Sequence, residues 1–224
     1  MSWAATPALG GLSLPSDFPG SDWLLLLNTV NAHEEKHRPG PWSEARREWG
    51  GAWNAVVYRF INCAEDDEAF RGELKKLGPT PAVPGRYAQE RLLFTFSCAA
   101  VSTLESLTYG LYALGAIVSP NNFPLSAPRN TNPRTTLEQF EALFPTEPLT
   151  QKLSWINSSE FKKIRDMRAM LFHRLTPGRH ISEKVQWGTE TIDEALTAEK
   201  REWVAEVLVG TIPAAVLFAS AMLK

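Results

Sequence analysis

Residues 86–118, RYAQERLLFTFSCAAVSTLESLTYGLYALGAIV, hold the pattern that decides the fold class. Leu93, Phe96, Ala100, Leu104, Leu107, Leu111 and Leu114 recur at i, i+3, i+4 and i+7 for about six turns, the period of an amphipathic helix and not the alternation of a strand. One residue interrupts the apolar run: Glu105 is the only charge among the 27 residues from Leu92 to Val118. A carboxylate in such a helix is costly unless it is paired. It therefore either meets a cation on another helix or lies on an exposed edge between Ser102 and Tyr109.

Outward from this element the pattern stays helical. Asp22 to His37 carries Trp23, Leu24, Leu27 and Val30 on one stripe, and Ser43 to Leu77 carries Trp49, Trp53, Val56, Val57 and Phe60, with a kink expected near Glu65 to Glu68. Thr135 with Glu138 reads as a capping box for a short helix ending at Phe144-Pro145. Asn157 with Glu160 starts a helix through Arg174 that stops before Pro177-Gly178, and Thr191 with Glu194 starts the last helix, which runs close to Leu223. Of the 16 prolines only Pro213 falls inside a strong helical pattern. Proline clusters mark the breaks at Pro39 to Pro41, Pro79 to Pro84, Pro120 to Pro133 and Pro145 to Pro148. The expected architecture is a single all-α domain over residues 1–224, a bundle of four or five long helices with extended Pro-rich loops. Residues 1–20 are expected to form an irregular arm and 119–134 a long loop. The stretch from Arg179 to Thr189 has room for a small hairpin; strand signals are otherwise nearly absent.

At 224 residues, with 44% apolar and 21% charged residues, the chain has the material for a sizeable core, and full disorder is excluded. The formal charge of −2 argues against a protein that coats nucleic acid over its whole surface but leaves room for a local basic site. Cys63 and Cys98 sit in apolar helical patterns and read as reduced core thiols, not a disulfide framework. The eight tryptophans read as core and interface residues. Val207 to Leu223 is a 17-residue run without a charge. It is short for a membrane span and contains Pro213, so a buried bundle or interface helix and a cytoplasmic protein are expected, a membrane-associated helix being the alternative.

Strong chemical motifs are absent: no glycine-rich phosphate loop, no GxSxG and no paired CxxC. His33 and His37 have metal-like spacing, but no further ligands accompany them, and neither metal nor cofactor is expected. The segment from Phe161 to Arg174, FKKIRDMRAMLFHR, stands out. From Lys162 to Lys184 there are seven Lys or Arg residues, among them Lys163, Arg165, Arg174 and Arg179, against Asp166 and Glu183, a local +5 in a chain of net −2. Such a patch suits phosphates. Ile164, Met167, Leu171 and Phe172 form an apolar stripe. Arg168 and His173 are separated by four residues near the end of the helix.

This segment resembles the R-x4–6-H signature of HEPN domains, all-α bundles found in prokaryotic toxins, abortive-infection proteins and CRISPR-associated nucleases. The match covers Arg168 to His173, with Ala169 where many members carry Asn, Asp or His. The resemblance implies a homodimer that acts on RNA as a metal-independent endoribonuclease, in a toxin or defence role, with an antitoxin or defence partner. It implies Arg168 and His173 as catalytic residues, supported by Arg165, Asp166 and Glu105, with Lys162, Lys163, Arg174 and Arg179 binding RNA. Some HEPN-like chains similarly carry a lone Glu before the motif helix, and Glu105 is expected to pair with Arg165 or with Arg168; a pair with Arg168 implies a structural role and an inactive site, whereas a pair with Arg165 leaves Arg168 free.

The chemistry suits these residue types. Imidazole titrates near neutral pH and moves protons; guanidinium is always charged and forked, and stabilises phosphorus oxygens. Five residues at 100° leave Arg168 and His173 about 140° apart around a helix, so convergence needs the long arginine or a second protomer. The competing readings are cations closing a helix C-terminus and a non-catalytic binding or dimerisation module that keeps the fold.

Overall fold

A computed structural model describes residues 3–6, 11–37, 42–125, 131–173, 179–181, 183–187 and 190–224. Among them are seven α-helices: α1 (Gly20–His37), α2 (Glu44–Leu77), α3 (Val83–Val118), α4 (Pro133–Leu143), α5 (Pro148–Lys152), α6 (Ser159–His173) and α7 (Ala195–Met222). A 3-10 turn over Leu153–Asn157 joins α5 to α6. The protein is predominantly α-helical, as its periodicity dictates.

The long antiparallel pair α2–α3 is the frame. Leu93, Phe96, Ala100, Leu104, Leu107, Leu111 and Leu114, the stripe expected of α3, are all fully buried. α1 locks onto α2 through two tryptophans. Trp23 Nε1 donates to the Trp53 carbonyl and Trp53 Nε1 to the Trp23 carbonyl, both at 3.2 Å, with the rings parallel. Each indole thus buries its large apolar face and still satisfies its N–H. α7 packs on α1, α2 and α3, and α6 lies against α3. α3 and α7 are long and apolar enough to cross a membrane, and both bury most of that apolar surface within the bundle.

Several element boundaries differ from the sequence reading. α2 runs unbroken through Glu65 to Glu68. Asp67 turns inward there, accepts from Arg71 one turn on at 3.1 Å, and accepts from Thr197 of α7 at 2.7 Å, so the acidic run does not interrupt the helix. The cap of α4 is Asn132, whose side chain accepts from Thr135 N, with Pro133 opening the helix. Glu138 pairs instead with Arg134. Proline likewise stands in the first turn of α3 and α5, where its missing N–H costs nothing. α6 begins behind Ser158, whose Oγ accepts from Phe161 N, and α7 behind Asp193 and Glu194.

The expected irregular arm contains a hairpin, β1 (Trp3–Thr6) with β2 (Leu12–Pro15), registered Trp3 to Pro15 and Thr6 to Leu12. The segment between α6 and α7 holds a small antiparallel sheet, β3 (Arg179–Ile181), β4 (Val185–Trp187) and β5 (Glu190–Thr191). Its strand β4 carries Trp187, which is fully enclosed. In the long loop, Phe123 is buried against Tyr112, Phe140 and Phe144 and fastens that segment to the bundle.

Candidate functional site

α6 divides its residues by angle. Phe161, Ile164 and Met167 are buried, while Lys162, Lys163, Arg165 and Asp166 are exposed. Phe172 leaves the apolar stripe. Eight residues from Ile164 it has rotated about 80°, and it lies 60% exposed, stacked on Phe94 of α3. The outward face is not uniformly free. Lys162 Nζ lies 2.6 Å from Asp166 Oδ2, an exposed i,i+4 pair, and the Arg165 guanidinium sits over the Phe161 ring.

Arg168 is the partner of Glu105. Its Nη1 lies 3.2 Å from both carboxylate oxygens, with both side chains partly exposed. Of the two pairings open to Glu105, the geometry therefore selects Arg168 over Arg165. One carboxylate in an otherwise uncharged run holds one arginine, across the α3–α6 seam. Among the described residues Nε and Nη2 of Arg168 take no hydrogen bond. Exposed to this degree, the pair contributes at most about 1 kcal/mol to stability. Its main effect is to orient the guanidinium.

Arg179 does not join this surface. Its side chain is 5% exposed, paired with Glu90 at 3.2 Å and bonded to Gln89 Oε1 and the Pro79 carbonyl at 2.7 Å each. Burial lowers its pKa, opposed by Glu90. The expectation that it binds RNA is corrected: it clamps β3 to the α2–α3 connection. His173 closes α6, but its side chain lies outside the described residues, as does Arg174.

The α3 face that carries Glu105 opens onto two grooves against α2. One, of about 690 Å³, is lined by Glu48, Arg59, Glu105, Ser106 and Tyr109 and reaches the start of α4. The other, of about 420 Å³, shares Arg59 and includes Asp66, Phe94 and Cys98. Tyr109 donates to Glu48 Oε2 at 2.7 Å. Burial, then the Glu48 carboxylate, push the phenol pKa well up, so it keeps its proton. Arg59 Nη1 bonds the Ser102 carbonyl and Ser106 Oγ. Sequence reasoning missed Glu48, Arg59 and Tyr109. The α3 half was available, since Ser102, Glu105, Ser106 and Tyr109 share one face at i, i+3, i+4 and i+7. The α2 half depends on how two helices register, which no local pattern encodes.

Cys63 is buried, whereas Cys98 is only partly so, against the expectation of two core thiols. His33 and His37 bring their rings to 4.6 Å, and His33 Nδ1 lies 3.2 Å from the Leu223 carbonyl. Among the described residues no group of three His, Cys, Asp or Glu side chains gathers to hold a metal ion. Comparison with known proteins finds no match: no family model, no curated protein and no solved structure is significantly similar to this chain.

Proposed function

We propose that the protein is a HEPN-like, RNA-directed endoribonuclease whose reactive residues are Arg168 and His173. The observation that supports this reading is the orientation of Arg168. Glu105 holds one guanidinium nitrogen, and Nε and Nη2 take no bond among the described residues. A guanidinium fixed in this way is preorganised for a phosphate, the arrangement that stabilises charge as it develops. The basic side chains of Lys162, Lys163 and Arg165 stand exposed on the same helix.

In the proposed reaction a base removes the ribose 2′-hydroxyl proton and the 2′-oxygen attacks phosphorus. The bond to the 5′-oxygen breaks, and that oxygen leaves with a proton. The products are a 2′,3′-cyclic phosphate and a 5′-hydroxyl end. His173 moves the protons and Arg168 stabilises the non-bridging oxygens. Because the two lie about 140° apart on α6, the site is completed across a homodimer two-fold axis. A toxin or antiviral-defence role follows from the resemblance alone.

A second reading is favoured by the same ion pair. Glu105 neutralises Arg168, which suits a non-catalytic dimerisation module presenting the exposed Phe94–Phe172 stack. The test is wild type against Arg168→Ala and His173→Ala on mixed RNA in EDTA, with dimerisation followed by light scattering. The nuclease reading expects cleavage to fall at least a hundredfold in both variants. Cleavage that survives both substitutions removes the site. A stable dimer that cleaves nothing establishes the second reading.

A further inference from the structure

The larger α2–α3 groove has a feature that a general phosphate surface does not need. Its charged groups differ in kind. Glu48 and Glu105 present acceptors only, and Arg59 presents donors only. Each is held by a bond that leaves part of it available. The Tyr109 hydroxyl fixes Glu48 through one lone pair of Oε2, leaving the second lone pair of Oε2 and the whole of Oε1 without a hydrogen bond among the described residues. Ser106 and the Ser102 carbonyl fix Arg59 through Nη1, leaving its other nitrogens in the same condition. Glu105 forms the side of the groove nearest Arg168, to which it is bonded.

A carboxylate and a guanidinium that line one groove are together selective among nucleobases. Guanine carries two adjacent donors, N1–H and N2–H, which a carboxylate accepts side by side, and two acceptors, O6 and N7, which arginine meets. Adenine sets the N1 lone pair where the carboxylate needs a donor. Uracil flanks its single donor with carbonyls. A groove of about 690 Å³ has ample room for a nucleotide, and the partly exposed Tyr109 ring is an aromatic surface beside the bound base.

We infer that this groove is a guanine-reading subsite, in which Glu48 accepts from the base's N1–H and N2–H and Arg59 donates to its O6 edge, next to the phosphate held by Arg168. Its place beside a phosphate rests on the RNA-directed reading; its recognition of guanine does not.

The experiment titrates the full chain with guanosine 5′-monophosphate and adenosine 5′-monophosphate by calorimetry and, in parallel, maps cleavage positions on RNA. The expected result is at least tenfold tighter binding of the guanine nucleotide, a preference abolished by Glu48→Gln. Tyr109→Phe keeps the ring, removes the bond that orients Glu48, and is expected to weaken the guanine nucleotide several-fold. It also serves should Glu48→Gln fail to fold. Equal affinity for the two nucleotides, no binding, or a preference that both variants retain overturns the subsite, whether or not RNA is cut. Guanine preference without cleavage supports the subsite and removes the nuclease.

Discussion

Cys98 sits between two influences on its thiol. Burial raises its pKa, and the Arg168 guanidinium opposes that rise. Cys63 has the stronger burial and Asp67 nearby, which push it far above the ordinary thiol range. The thiolate is the reactive form. A disulfide reagent at pH 8 is therefore expected to modify one thiol per chain, Cys98, while Cys63 reacts only on unfolding. Because the folded pKa of Cys98 is raised, its rate keeps climbing as pH passes the ordinary thiol value near 8.5 instead of levelling there. In Arg168→Ala the opposing cation is gone, and labelling at pH 8 slows by roughly threefold, the size of one partly screened charge. An unchanged rate would show that Arg168 does not face this thiol, and mass-mapping of the label identifies the cysteine. The sequence left Glu105, the lone charge among 27 residues, either a cation partner or an exposed edge, and it has both, being bonded to Arg168 and 41% exposed. Which arginine it takes was not legible, since Arg165 and Arg168 differ by one helical turn and only the seating of α6 on α3 separates them.

Phe123 shows what proline punctuation conceals at the scale of an element. The Pro-rich stretch after α3 correctly ended that helix, yet within it one aromatic ring is buried against Gly115. A Cβ placed on Gly115 would stand 2.6 Å from the Phe123 ring. The ring has little space to retreat, being packed on Tyr112, Phe140 and Phe144. Gly115→Ala therefore gains the small helix-propensity advantage of alanine and loses more by overpacking, a net destabilisation of about 1–2 kcal/mol in chemical denaturation. Phe123→Leu in the same chain, which shortens the intruding side chain, is expected to recover part of the loss. A Gly115→Ala variant as stable as wild type would mean that the ring is not held there. Helix interiors were legible because burial repeats at a fixed angle. Helix starts were less so, because Asn132, Ser158 and Asp193 each cap through a local geometry that several neighbouring polar residues could equally supply.

Across the whole molecule, the hairpin β1–β2 is the part least legible beforehand, and the reason is energetic. A two-stranded ladder has little stability alone, so its existence depends on what it docks against. Leu14 and Phe18 enter the core, Phe18 against Phe60. Asp17 pairs with Arg201 of α7, whose side chain is 9% exposed. A cation this enclosed is strongly unfavourable without its counter-charge, so the pair ties the first residues of the chain to its last helix. Asp17 itself remains a third exposed, which lets water relieve part of the loss. Asp17→Ala is therefore expected to cost about 2 kcal/mol, less than a fully buried pair would. At about 2–4 °C per kcal/mol for a chain of this length, the melting temperature falls by roughly 4–8 °C. Adding Arg201→Met removes the stranded charge while keeping apolar volume, and should restore most of that difference. If instead Asp17→Ala melts within a degree of wild type, the ion pair contributes nothing and the burial of Leu14 and Phe18 alone holds this segment to the bundle. If the double variant is worse than the single, Arg201 has a partner besides Asp17, and the tie between the two ends of the chain runs through that partner.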